Sequence, residues 1–249
     1  MTAAARGRIL GVDVDLLDWR SLATAAERLL EQARLGRYST ILYANPETLV
    51  AAQVDSQLHL ALASADLVLA DSVGISLAAR LLGFKVPVRM GGTEPFVRLL
   101  TLAEQGGYLV YFLGATAEVN AKVVARASRE HPQLRMAGAH HGHLPCSELD
   151  RLLAQIASAA PDLIFLALGC PRQERLALAM SGRLSGAVVM AVGGTFDFYS
   201  GSISRAPTWM TGAGLEWFYR LLRQPSRLRR QLALPLFCWL VLRQRWRQA

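Results

Sequence analysis

The chain has 249 residues, 52% of them hydrophobic and 18% charged, a balance that can bury a large core and excludes a disordered polymer. Its net charge of +8 is concentrated, because Glu216 to Ala249 carries eight arginines against one acid, leaving the body close to neutral. Three widely spaced cysteines, Cys146, Cys170 and Cys238, offer neither a disulfide framework nor a zinc-ligand pattern. Residues 1–8 hold two arginines and no apolar run, so no signal peptide is expected and the body reads as cytoplasmic.

In chain order, short apolar runs predict strands at Ile9 to Val14, Thr40 to Ala44, Leu67 to Ala70, Tyr108 to Leu113, Leu134 to Ala139, Leu163 to Leu168 and Ala187 to Val192. Helical spacing predicts helices between them at about Trp19 to Leu35, Glu47 to Ser64, Gly74 to Leu82, Glu94 to Glu104, Glu118 to Glu130, Ser147 to Ala159 and Arg172 to Ser181. Strand followed by helix, repeated, implies an α/β fold: a Rossmann-like, mostly parallel sheet with helices on both faces. The composition shifts after Arg205-Ala-Pro-Thr, which divides the chain into a core, residues 1–205, and a basic helical appendage, residues 206–249.

Ligands of such a sheet bind beyond the carboxyl ends of the strands. There the sequence reads Asn45-Pro-Glu47, Asp71-Ser-Val-Gly74, Gly114-Ala-Thr116, His140-His-Gly-His143, Gly169-Cys-Pro-Arg-Gln-Glu174 and Gly193-Gly-Thr-Phe-Asp197. Small residues and helix starts recurring at one edge make a cradle for phosphates. No Walker pattern appears, and no Gly-x-Gly-x-x-Gly follows a strand. Asp71, at a strand end before a small-residue turn, is placed either to take a proton from a hydroxyl or to cap the next helix. Arg89, followed closely by Gly91 and Gly92, suits either a bidentate phosphate clamp or a surface ion pair. Asp13-Val-Asp15 matches a metal-binding pair but is short and lies on the first strand, and the histidines at 140, 141 and 143 have no carboxylate or cysteine at ligand spacing. No metal site is expected.

The tail has its own logic. Leu232 to Leu242 is apolar and lies between two arginine groups. As a helix it is about 16 Å long, short of the roughly 30 Å hydrocarbon core. It can therefore lie in a membrane interface, held by arginines to an anionic leaflet, but cannot span. The competing readings are a core or dimer helix with a solvated basic face, and a nucleic-acid binder using the basic tail. The last would need arginines beside exposed aromatics on a flat face rather than an apolar block.

Taken together, these segments resemble the WecG/TagA/CpsF family of bacterial glycosyltransferases. The resemblance rests on Asn45-Pro-Glu47, Ala70-Asp71-Ser-Val-Gly74, Arg89 with Gly92-Thr93, Phe112-Leu-Gly114, Gly169 to Glu174, and Val192 to Asp197 with Gly201. It continues through Arg205-Ala-Pro207, Gly214 to Arg220 and Pro225-Ser-Arg227, in order from about Ile9 to Arg230. It implies an inverting, metal-independent enzyme that takes a sugar from a UDP-sugar and adds it to a sugar on a polyprenyl diphosphate, in bacterial cell-surface or exopolysaccharide synthesis. Asp71 is then the base, with Asn45, Arg89 and Gln173 lining the catalytic pocket. His143 and Asp197 lie at the nucleotide of the UDP-sugar, the helix starts near Gly114 and Gly169 are candidates to meet its diphosphate, and no cofactor or metal is required. Arg220, Arg227 and Arg230 belong to an appendage that docks on the inner membrane's cytoplasmic face and closes over the lipid diphosphate, and Arg223 shares one helical face with them by spacing. Nucleic acid is not an expected partner, and self-association is left open. The chain departs from the family pattern at Tyr43, where threonine is usual, Ser72 for glycine, Glu94 for aspartate and His143 for tyrosine. These departures bear on donor identity more than on reaction type.

Overall fold

A computed structural model describes residues 5–86, 88–91, 93–143, 145–204 and 232–248. Eight strands form one sheet: β1 (Ala5–Ile9), β2 (Val12–Leu16), β3 (Ser39–Ala44), β4 (Leu67–Ala70), β5 (Leu109–Gly114), β6 (Arg135–His140), β7 (Leu163–Ala167) and β8 (Val188–Ala191). The spatial order is β1-β2-β4-β3-β8-β7-β5-β6, and every pairing is parallel except β1 with β2. The inner strands are apolar throughout because both faces are covered. In β3, for example, Leu42 and Ala44 enter one core while Ile41 and Tyr43 enter the other.

One face carries α2 (Pro46–Ala51), α3 (Ser56–Ser64), α4 (Val73–Leu81), α7 (Cys146–Ala159) and α8 (Arg172–Met180), and the other carries α1 (Trp19–Arg34), α5 (Glu94–Gly106), α6 (Ala117–Glu130) and the short α9 (Thr195–Tyr199). On the second face Phe96, Phe112, Phe165 and Phe196 form a fully buried aromatic cluster, with ring centroids from 4.6 to 6.1 Å apart. Phe196 sits in α9 just after the turn that follows β8, so the cluster anchors that segment.

The α/β architecture expected from the sequence is the one observed, with two local corrections. The first predicted strand is a hairpin: Leu10 and Gly11 take positive φ of 50° and 85°, so the chain reverses in a two-residue turn. The reversal leaves Asp15 buried, accepting from Arg6 Nε at 2.8 Å and from the Val68 amide at 2.8 Å, which clips the hairpin to β4. That carboxylate is a structural clip, and among the described residues no group of three or more His, Cys, Asp or Glu gathers as a metal site. The predicted helix from Glu47 to Ser64 is two helices, because Asp55 caps a new start by accepting from the Leu58 amide at 3.1 Å.

The described part of the tail is a last helix, α10 (Ala233–Gln248), which packs against α2 and α4. Phe237 and Val241, four residues apart, enter the core on that side. Gln244 locks the register by accepting from the Leu10 amide and donating to the Arg8 carbonyl, each at 2.8 Å. The apolar run read from the sequence is thus shared between two surfaces: one face packs on the protein, and Leu232, Leu236, Trp239, Leu242 and Trp246 remain exposed. No helix among the described residues is long and apolar enough to cross a membrane. Truncating Phe237 to Ala should cost about 3 kcal/mol of unfolding free energy, measured by denaturant titration, since a buried aromatic is lost.

Candidate active site

Parallel strands bring the loops of the sheet to one edge, and the helix starts come with them. Along that edge, from β4 across β3, β8, β7 and β5 to β6, the order of following residues is Asp71, Asn45, Gly193, Gly169, Gly114 and His143. Three strand spacings, about 14 Å, separate the end of β4 from that of β7, and two more lead to β6. The fold therefore sets Asp71, Asn45 and Arg89 toward one end of the edge, Gly114 and His143 toward the other, and Gln173 between them beside Gly193.

Asp71 follows β4, with its amide donating to the Ala44 carbonyl at 2.9 Å. The segment carrying Arg89 is hung from the same strand by a 3.0 Å bond from the Met90 amide to the Ala70 carbonyl. Gly91 then passes so close that a Cβ there would stand 2.2 Å from Asp71 Oδ1. Any side chain at 91 would push the carboxylate from this position. Ser72 takes φ 97° and ψ 156°, a region nearly reserved for glycine, so the turn from Asp71 into α4 is strained. Beside it the α2 and α4 starts are packed tightly, since a Cβ on Gly74 would meet Pro46 Cγ at 2.8 Å.

Asn45 caps α2. Its Oδ1 accepts from the Thr48 amide at 2.9 Å and from Thr48 Oγ1 at 3.0 Å, which leaves its Nδ2 protons as the donors able to meet a ligand. Thr48 Oγ1 in turn contacts Cys170 Sγ at 3.7 Å, and the Cys170 thiol bonds to the Glu174 carboxyl. Glu174 Oε1 accepts from Gln173 Nε2 at 2.8 Å, and Gln173 Oε1 accepts from the Gly193 amide at 2.9 Å. This buried chain joins the loops after β3, β7 and β8. Gln173, read from the sequence as a pocket residue, is placed as a brace with both ends of its carboxamide engaged.

Sequence reasoning quoted Glu174 but gave it no role. Its residue is 1% exposed, and burial, partly offset by the Gln173 and Cys170 bonds, raises its pKa above the ordinary value. The signal was an acid directly after Gln173 in a helix start, but only the packing of α8 on the sheet shows that it is covered. Asn120 was also missed: its buried Nδ2 donates to the carbonyls of Gly114 and His140, each at 3.0 Å, tying the ends of β5 and β6 together.

Tyr43 lies in β3 near Asp71. Burial first and the Asp71 charge second push its phenol well above its usual pKa, so it stays protonated. Its hydroxyl has no hydrogen-bond partner among the described residues. On the far side of the edge, the Ala115 amide donates a hydrogen bond to the Ala167 carbonyl of β7 at 2.9 Å, and Thr116, just before α6, caps it with its hydroxyl. His143 is exposed in the loop after β6, and Asp197 is half-buried in the first turn of α9. Gly169 has φ 75° and opens the turn into α8. The starts of α4, α6 and α8 thus direct amide groups to this edge, which favours anionic ligands. Arg220, Arg223, Arg227 and Arg230, and Gly92, lie outside the described residues.

Glu174→Gln keeps an acceptor for Gln173 but cannot ionise. A carboxyl whose folded pKa is raised stabilises the fold below its unfolded pKa, near 4.5, and loses that contribution as pH rises through the folded value. The variant's melting temperature should therefore gain on the parent's from pH 4.5 to neutrality, as read in parallel thermal melts.

Comparison with known proteins agrees with this geometry. A Glycosyl transferase WecG/TagA/CpsF family model matches residues 7–249. A Bacillus subtilis (strain 168) protein named N-acetylglucosaminyldiphosphoundecaprenol N-acetyl-beta-D-mannosaminyltransferase is 36% identical over 202 residues, which is 80% of this chain and 77% of that protein. A Bacillus spizizenii protein of the same name is 35% identical over 203 residues, covering 82% of this chain and 78% of its own length. With its parallel sheet, its edge of helix starts and this match over nearly its whole length, the chain belongs to the WecG/TagA/CpsF family of glycosyltransferases.

Proposed function

We propose that this glycosyltransferase moves a hexose from a UDP-sugar to a saccharide carried on polyprenyl diphosphate, with inversion and without a metal ion, at the cytoplasmic face of a bacterial inner membrane. The product feeds the synthesis of a cell-surface polysaccharide. The observation that carries the reading is Asp71: a carboxylate at the end of a central parallel strand, pressed by the Gly91 backbone and set among helix starts. The relatives' name supplies the acceptor class, an amino sugar on diphosphoundecaprenol, and points to an N-acetylmannosamine-type donor. A glucose-type donor is the second choice.

In this mechanism Asp71 accepts the proton of the acceptor hydroxyl as its oxygen bonds to the anomeric carbon. The bond from that carbon to the diphosphate breaks on the opposite face, and UDP departs with the electron pair. One displacement inverts the centre. Charge growing on the leaving diphosphate meets Arg89 and the amide groups opening α6 and α8, next to Gly114 and Gly169. His143 and Asp197 contact the nucleotide. Asn45 donates to the sugar through Nδ2, while Gln173 holds the floor between Gly193 and Glu174. The tail arginines Arg220, Arg223, Arg227 and Arg230 receive the lipid diphosphate and hold the enzyme on the bilayer. The apolar exposed face of α10 suits lipid rather than nucleic acid.

With UDP-sugars and a polyprenyl-diphosphate acceptor, assayed in excess chelator, Asp71→Asn should retain donor binding by calorimetry and lose about 1,000-fold in turnover. Full turnover in that variant removes Asp71 as the base. Gly91→Ala places a methyl group on the Asp71 oxygen and should cut kcat about 100-fold through misplacement of the base. Its unfolding midpoint should move far less, because the atom that must yield is a side-chain end rather than the core.

A further inference from the structure

We propose that the outward faces of α4 and α10 form a single docking surface for an anionic bilayer, so that the core itself, beyond the tail, lies on lipid. The inference rests on the glycosyl-transfer reading only in naming what the surface delivers.

Helix α4 follows Asp71 after one residue and turns Ile75, Ala78 and Ala79 into the core. On its other side Val73, Leu77 and Leu81 lie one turn apart and are exposed, Leu77 at 58% and Leu81 at 44%. A stripe of three aliphatic side chains in water is costly unless something covers it. Helix α10 repeats the arrangement. With Phe237 and Val241 facing inward, Trp239 at 53% and Trp246 at 75% stand on the opposite side with Leu232, Leu236 and Leu242. Because α10 packs against α2 and α4, both apolar faces occupy the same flank of the sheet.

Charge identifies the occupant. Arg80, Lys85, Arg243, Arg245 and Arg247 are exposed in or beside these two helices, and neither helix contains an acid. Arg243 lies over the Trp239 ring, 5.4 Å from its centre, which joins the cationic and apolar parts of the surface. Tryptophan with flanking arginines suits the boundary between head groups and acyl chains. A second copy of the chain suits it poorly, since a two-fold partner would bring the same cations face to face. The placement also orients the site: α4 points its start at the Asp71 edge, so a diphosphate at the lipid surface reaches that edge along the helix.

The test uses the full-length chain and vesicles of phosphatidylglycerol and phosphatidylcholine in equal parts. The parent should sediment with them, and Leu77→Glu/Leu81→Glu should lower the bound fraction's partition coefficient by about tenfold or more. Arg80→Glu/Lys85→Glu is the second variant and keeps both apolar faces; it should weaken binding to these vesicles but not to pure phosphatidylcholine. The ratio of turnover on a vesicle-embedded long-chain acceptor to turnover on a short, water-soluble one should fall in both. Sedimentation of both variants at the parent's level overturns the proposal. So does dispersal of a parental dimer by Leu77→Glu/Leu81→Glu, in analytical ultracentrifugation, with vesicle binding kept. If the parent turns over neither acceptor, the glycosyl-transfer reading fails while sedimentation still decides the surface.

Discussion

One buried carboxamide holds the floor of the site together. Gln173 accepts from the Gly193 backbone and donates to Glu174, so the loop after β8 and the start of α8 move as one piece. Through Cys170 and Thr48 the same chain reaches Asn45, the last residue before α2. A carboxyl group buried as deeply as Glu174 is expensive, the more so because its Oε2 has no hydrogen-bond partner among the described residues. The network removes freedom from three loops at once, and loops that must hold groups in a fixed geometry gain most from such bracing. The strain at Ser72 lies in the same region: the backbone leaves β4 in a conformation that fits glycine, between the close approach of Gly91 to Asp71 and the tight packing of Gly74 near Pro46.

The sequence exposed the architecture because a parallel sheet covered on both faces writes its strands as unbroken apolar runs and its site as the residues directly after them. Asp71, Asn45, Gly169 and Gly193 all stand there. What remained hidden depends on contacts between segments distant in the chain. The reversal at Leu10 and Gly11 was concealed by apolar residues on both sides of it, and a leucine at positive φ is not a turn signal. The break before Asp55 was written as an N-cap but was masked by continuous helical spacing around it. The burial of Glu174 follows only from the packing of α8 on the sheet, and the meeting of Gly91 with Asp71 joins residues twenty apart through a loop geometry that no periodicity encodes.

The terminal helix shows how one apolar run can serve two solvents. Sixteen residues form a marginal helix alone in water, so α10 depends on its dock. Its inward face is narrow: Phe237 and Val241 supply the apolar burial, each worth about 1.5–3 kcal/mol, and Gln244 fixes the register on the β1–β2 turn. That is enough to hold a helix but uses less than half of its apolar residues. The rest cannot be explained by the fold of the core, because turning them outward stabilises nothing in water.

The same asymmetry appears in α4, where it carries a further constraint. An exposed aliphatic stripe on a helix at the rim of a protein can be replaced by polar residues at little cost to the core, so folding alone does not require Val73, Leu77 or Leu81. Yet this helix begins beside the proposed base, and its start is fixed against α2 by the Gly74 and Pro46 contact. Any surface that engages the stripe is therefore held at a set distance and angle from Asp71. On the proposed docking, lipid contact at α4 and chemistry at the strand ends would be coupled by rigid packing rather than by a moving part, and a lipid-borne acceptor would meet the proposed base by lateral approach along a surface that the protein already occupies.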